Sequence, residues 1–192
     1  MKKPVLYLMI GFPASGKSSF LEKQKELAVF SADAVRGEWF GDEGLQYTDE
    51  FLKSAGIDPE RLNRDEKCEK ASMLVFEEVY RRTEEAIRNG TNAAIDGTSL
   101  TKWSRGMMIS RFRDIASIRG IWIKTDPELC IRRDAERSRS VGEQRIREFV
   151  SMFVPPVLEE GFDALEVRDE NGCLLSRTEN RGTPAAIDGA SV

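Results

Sequence analysis

The chain has 192 residues, 32% of them charged and 40% hydrophobic, with a formal net charge of −4. That balance fits one α/β domain with a sizeable core and argues against a globally basic nucleic-acid binder, while leaving room for a local basic patch. The three cysteines, Cys68, Cys130 and Cys173, are too scattered for a disulfide framework or a zinc site, and no histidine is present, so any general base must be a carboxylate or another group. No transmembrane run exists, and the short apolar segment after Met1-Lys2-Lys3 leads straight into a glycine-rich loop, so a cytoplasmic protein is expected.

The first element is Val5–Ile10, an unbroken apolar run of the kind found in a parallel strand buried on both faces. Gly11-Phe12-Pro13-Ala14-Ser15-Gly16-Lys17-Ser18 follows and fits the phosphate-loop pattern G-x-x-x-x-G-K-[ST]. Gly11 and Gly16 let backbone N–H groups close on phosphate oxygens without a Cβ in the way. A helix beginning near Ser19 would add its dipole, Lys17 would reach the β- and γ-phosphates, and the Ser18 hydroxyl would bind Mg²⁺. The loop as a whole, Gly11 and Pro13 to Ser19, is therefore the expected ATP site.

A second strand is expected over Leu27–Ser31. Asp33 and Arg36 come just after it, three residues apart, and share a face if that segment is helical. An isolated Asp-x-x-Arg is ordinarily a solvated ion pair, but the end of a strand facing a phosphate loop is where open α/β sheets keep their ligands. Residues 38–70 are polar, with turn signals at Gly41, Gly44, Gly56 and Asp58-Pro59, and read as an insertion with helices near Glu50–Ser54 and from Asn63. Helical spacing of Met73, Phe76, Val79, Tyr80, Thr83, Ala86 and Ile87 predicts a core helix over 72–89, stopped at Asn89-Gly90.

Ala93–Asp96 is the third expected strand, with Asp96-Gly97-Thr98-Ser99 at its carboxyl end and a helix over about 101–117 behind it. Ile118–Lys124 is the fourth, and Asp126-Pro127-Glu128 opens the next helix. That helix and its exit carry Arg132, Arg133, Arg137 and Arg139. In a nucleotide enzyme such a segment, about 132–142, serves as a lid whose arginines close over the transferring phosphate. An amphipathic helix over 143–154 stops at Pro155-Pro156. A fifth strand is expected at Ala164–Arg168, with Cys173-Leu174-Leu175 returning as a short antiparallel edge. The folded domain is thus expected over residues 1–177, with a mobile tail over 178–192.

The ordered series G-F-P-A-S-G-K-S, S-A-D-A-V-R, D-G-T-S-L, R-R-D-A-E-R and P-P-V-L-E-E-G-F-D resembles the P-loop kinase family that includes the kinase domain of phage polynucleotide kinase and stand-alone bacterial relatives. The resemblance covers roughly residues 1–168. It implies a three-layer α/β P-loop NTPase fold with a mostly parallel five-stranded sheet, helices on both faces and an arginine-rich lid. It further implies ATP and Mg²⁺ as cofactors, with Lys17, Asp33 and Arg137 catalytic. Asp33 would accept the proton of the attacking hydroxyl, and Arg36 would hold the acceptor. Asp96 and Thr98 would belong to the substrate site, Asp96 supporting the Mg²⁺ and arginine network, and Arg133 and Arg137 would form the lid. The chain departs from the common pattern of that family at Gly97-Thr98-Ser99, where Ala-Thr-Asn is frequent, at Asp134, where Asn is, and at Gly142, where Pro is.

The expected activity is transfer of the ATP γ-phosphate to a hydroxyl, foremost a nucleic-acid 5′-hydroxyl. Two further readings stand beside it: a kinase for a small metabolite, sugar nucleotide or tRNA-linked group, and a nucleotide-gated binding module without chemistry. In the last, Asp33 and Arg137 would be idle, and no Asn-Lys-x-Asp guanine signature is present.

Overall fold

The computed structural model describes residues 3–41 and 47–180. In chain order the elements are β1 (Val5–Ile10), α1 (Lys17–Leu21), β2 (Ala28–Ser31), α2 (Ala32–Phe40), α3 (Asp49–Ser54), α4 (Arg64–Arg88), β3 (Ala93–Asp96), α5 (Lys102–Phe112), β4 (Ser117–Ile123), α6 (Pro127–Ala135), α7 (Glu143–Met152), β5 (Ala164–Arg168) and β6 (Leu174–Glu179). The strands form one sheet in the order β2-β3-β1-β4-β5-β6, parallel throughout except for the antiparallel β6. β1 lies between β3 and β4 in the sheet and is packed on both faces by other elements, which is why its sequence is a continuous apolar run.

Leu6, Leu8 and Ile10 enter the larger core, filled by Val35 of α2, Val75, Val79 and Ile87 of α4, and Met108, Ile109 and Phe112 of α5. Met9 points the other way, to Leu21 of α1 and the neighbouring Phe20 and Leu27. Helices therefore lie on both faces and the domain has three layers. A third cluster, Phe12, Leu100, Cys130 and Ile146, joins the glycine-rich loop to α6 and α7.

Several expectations are corrected. The sheet has six strands, not five, because the return after β5 is a full strand reaching Glu179. All six of its residues are exposed, so it carries no apolar alternation, and it extends two residues into the segment expected to be the tail. Residues 181–192 of that segment, and 42–46 of the insertion, lie outside the described residues. The two helices expected from Asn63 and over 72–89 are one helix of 25 residues, since no breaker interrupts them and an Asn63–Glu66 capping box sets a single start. The helix after β3 ends at Phe112 rather than Ser117, which belongs to β4. Among the described residues no helix is long and apolar enough to cross a membrane.

Arg105 on α5 is fully buried and forms a fork with Glu160, at 2.6 and 2.7 Å, while its Nη1 donates to the Ser99 carbonyl at 3.0 Å. Breaking one partner of such a pair strands a charge in the core, so Arg105→Ala should cost about 3–5 kcal/mol, whereas Arg105→Met combined with Glu160→Leu should recover most of it. Urea denaturation of the three proteins checks this.

Candidate active site

The loop between β1 and α1 is shaped by glycine geometry. Gly11 has φ +149°, and a Cβ there would lie 2.8 Å from Ser15 Oγ and 2.9 Å from the Ile123 carbonyl. Gly16 has φ +102°, and a Cβ there would lie 3.1 Å from the carbonyl of Glu170. The Gly11 amide donates to the Thr98 carbonyl at 3.0 Å, and the Thr125 hydroxyl donates to the Ser15 carbonyl at 2.8 Å. The loop is thus held from the ends of both neighbouring strands. Lys17 folds back into it, its ammonium donating to the Gly11 carbonyl at 3.0 Å and the Phe12 carbonyl at 2.7 Å. α1 is only five residues long, so its dipole is a smaller source of positive potential than the sequence suggests, and the Lys17 charge is the larger one.

All the residues expected at the site except Gly11 line one open cleft of about 1090 Å³. Gly11 lies beneath it, where its amide meets Thr98. The Ser18 hydroxyl donates to Asp96 Oδ2 at 2.7 Å, which brings the ends of β1 and β3 together. A hydroxyl beside a carboxylate suits a hard cation such as Mg²⁺. Among the described residues no group of three His, Cys, Asp or Glu side chains could hold a metal by itself, so phosphate oxygens and water would have to complete the shell.

Asp33 and Arg36 form the opposite wall. Ser31 caps α2 by accepting from the Ala34 amide, which starts the helix at the strand end and turns both residues into the cleft. Arg36 Nη1 lies 3.1 Å from Asp33 Oδ1, and Arg36 Nη2 is 3.4 Å from Ser72 Oγ on α4. Its Nε is buried without a partner among the described residues. Cys68, Glu69, Ser72 and Phe76 of α4 complete this wall, none of them expected to be functional from sequence. Rings of Trp39, Phe40 and Phe51, with centroids 5.0–6.3 Å apart, hold α3 to α2 behind it.

From α6, α7 and the segment between them, Arg133, Arg137, Arg139 and Arg145 line the cleft with Val141 and Phe149. The segment between α6 and α7 is closed by Asp134. This 1%-exposed carboxylate accepts through Oδ2 from the Ser140 hydroxyl at 2.6 Å and from the Val141 and Gly142 amides at 3.0 Å each. Arg139 then crosses the cleft to Asp33, with Nη1 3.4 Å from Oδ2. Neither the Asp134 staple nor the reach of Arg139 has a local sequence signature. The turn Asp169–Cys173 closes the remaining side: Arg168 stacks over Phe20 at 4.9 Å, and Glu170 lines the opening.

Burial lowers the Lys17 pKa to about 8, opposed most by the Asp96 charge and reinforced by Arg137. Phosphate oxygens favour the ammonium and raise that pKa again, so at about pH 9 nucleotide binding takes up close to one proton, and affinity falls as pH rises above 8. ATP titration calorimetry in two buffers of different ionisation enthalpy should show this uptake, and Lys17→Met should remove it. Burial also pushes the Cys130 thiol up to about 11, so this thiol beside the loop stays protonated and packs as a small apolar group.

No curated protein matches the sequence. Among solved structures, a chain of the Pnkp1/Rnl/Hen1 RNA repair complex superposes with TM-score 0.60 at 19% identity, covering 79% of this chain but only 44% of its own length. The PezAT toxin–antitoxin system of Streptococcus pneumoniae gives TM-score 0.57 at 18% identity, covering 96% of this chain and 75% of the other. A gluconokinase from Sinorhizobium meliloti 1021 gives 0.52 at 13%, covering 88% and 84%. These likenesses establish the P-loop kinase-like fold. The family model described as "AAA domain", AAA_33, matches residues 6–156, and the chain belongs to that family.

Proposed function

We propose that this protein is an ATP- and Mg²⁺-dependent phosphotransferase that acts on an acceptor hydroxyl, foremost the 5′-hydroxyl of a nucleic acid. The observation that carries the reading is the meeting of Lys17, Asp96, Asp33, Arg36 and Arg137 in one cleft, with a carboxylate facing the phosphate loop. A cleft built only to sense a nucleotide has no use for Asp33 on the wall opposite the loop.

Bound MgATP supplies the phosphoryl group and a metal charge at its oxygens. Lys17 turns from the Gly11 and Phe12 carbonyls to the phosphates, exchanging neutral acceptors for charged ones. Ser18 and Asp96 are the groups that would hold the Mg²⁺, directly or through water. Asp33, a carboxylate in a chain without histidine and in the position the family resemblance assigns to the base, accepts the proton of the attacking hydroxyl. Arg36 orients the acceptor. Arg137, close enough to Lys17 to oppose its charge, stabilises negative charge on the transferring group. The kinase domain takes in the whole described sheet, with residues 132–142 as its lid.

A small-molecule acceptor is the second reading. Glu69 on the acceptor wall and the net charge of −4 disfavour a long phosphate backbone, and the gluconokinase fold likeness points the same way.

Phosphate transfer to short 5′-hydroxyl oligonucleotides at several salt concentrations separates the two readings. Polynucleotide binding should weaken by about 0.7 log units per log unit of salt for each phosphate neutralised. Absence of both salt-dependent binding and labelled oligonucleotide would leave the small-molecule kinase. With whichever acceptor is used, Asp33→Asn should keep binding and lose chemistry. Arg137→Ala should cut kcat by about 10³-fold with only modest change in ATP affinity. An equal loss of ATP affinity at unchanged kcat would make Arg137 a ground-state clamp instead.

A further inference from the structure

The segment between α6 and α7 brings Arg137 into the field of Lys17, yet the Arg137 side chain forms no hydrogen bond or ion pair among the described residues. Its place beside the phosphate loop is therefore set by the backbone that carries it. That backbone is wrapped around one residue. The Asp134 carbonyl accepts from the Arg137 amide at 3.1 Å. The Asp134 carboxylate accepts through Oδ2 from the Ser140 hydroxyl at 2.6 Å and from the Val141 and Gly142 amides at 3.0 Å each. Arg137, Ser138 and Arg139 thus lie between two anchors supplied by the same residue. α7 has no side-chain cap at Gly142, where φ is +88°, so this carboxylate also fixes where that helix begins.

Asp134 is a poor choice for stability alone. Its Oδ1 is buried without a partner among the described residues, and a buried carboxylate with one oxygen unsatisfied is costlier than an apolar side chain of similar size. α6 and α7 also have an apolar joint, Cys130 and Ile146 against Phe12, which needs no charge to hold it. What the carboxylate adds is a fixed path for the segment, because all three of its bonds end there. A guanidinium acts on a transferring group only when held to within about 0.5 Å, and the residues behind it supply that precision. We propose that Asp134 is a positioning residue for Arg137. It lies outside the lining of the cleft and works by holding the path that sets Arg137 against the transferring phosphoryl group. The inference rests on the phosphotransferase reading and deepens it.

The test measures binding of ADP to the full chain by calorimetry in Mg²⁺, with and without aluminium fluoride, which mimics the transferring group. The wild type should bind ADP at least about tenfold more tightly with aluminium fluoride, as expected for charge-assisted hydrogen bonds. Arg137→Ala should lose that gain. Asp134→Ala should lose most of it while its affinity for ADP alone stays within about threefold of wild type. Asp134→Asn, which keeps an accepting oxygen, should retain the gain. Combining Arg137→Ala with Asp134→Ala should cost no more than Arg137→Ala alone, because both remove the same contact. Thermal melting checks that each variant is folded. If Asp134→Ala does not fold, Ser140→Ala removes only the 2.6 Å bond and should lose part of the gain. A gain that survives Asp134→Ala, or Ser140→Ala in its place, would overturn the inference and leave the phosphotransferase reading standing. So would a gain lost in folded Asp134→Asn, or losses that multiply in the double variant. No gain in the wild type would count against the phosphotransferase reading and overturn the inference with it.

Discussion

One backbone hydrogen bond, from the Gly11 amide to the Thr98 carbonyl, sets the geometry on which the cleft depends. It continues the parallel pairing of β1 and β3 beyond the last residues of both strands. The phosphate loop is thereby tied to the segment that carries Asp96, and Ser18 comes within bonding distance of that carboxylate. Beside the bond, Gly11 has a φ that side chains rarely adopt and Ser99 has φ +45°, an uncommon value for a residue with a Cβ. Behind that segment, the buried Arg105 bonds both Glu160 and the Ser99 carbonyl. The polar core of the protein and its reactive cleft are two ends of one connected arrangement.

Charge is distributed unevenly across the cleft. Six basic side chains, Lys17, Arg36, Arg133, Arg137, Arg139 and Arg145, line it against four carboxylates, Asp33, Glu69, Asp96 and Glu170. The cleft thus keeps a surplus of guanidinium and ammonium groups within a protein of net charge −4. The positive potential is therefore local to the cleft.

How much of this was legible in the sequence depends on the range of each constraint. The loop was readable because its glycines, lysine and serine act through local backbone geometry, and β1 because burial on both faces leaves no room for polar alternation. Asp33 and Arg36 were readable from their place after a strand. Arg139 meets Asp33 across 106 positions, and Arg105 meets Glu160 across 55, separations at which no periodicity or spacing survives. Asp134 stood out only as a departure from a family pattern, and its purpose required the fold of the turn it closes. β6 escaped as a full strand because an exposed edge is held by backbone pairing alone and leaves hydropathy unmarked.

The aromatic cluster behind α2 isolates one wall of the cleft from the other. α3 rests on Trp39 and Phe40 through Phe51, and on α4 through the Lys67–Asp49 ion pair, with none of these contacts touching the phosphate loop. The wall can be lengthened, shortened or exchanged while the nucleotide end keeps its geometry. The two halves of the cleft are thus mechanically separable, each braced by contacts that the other does not share.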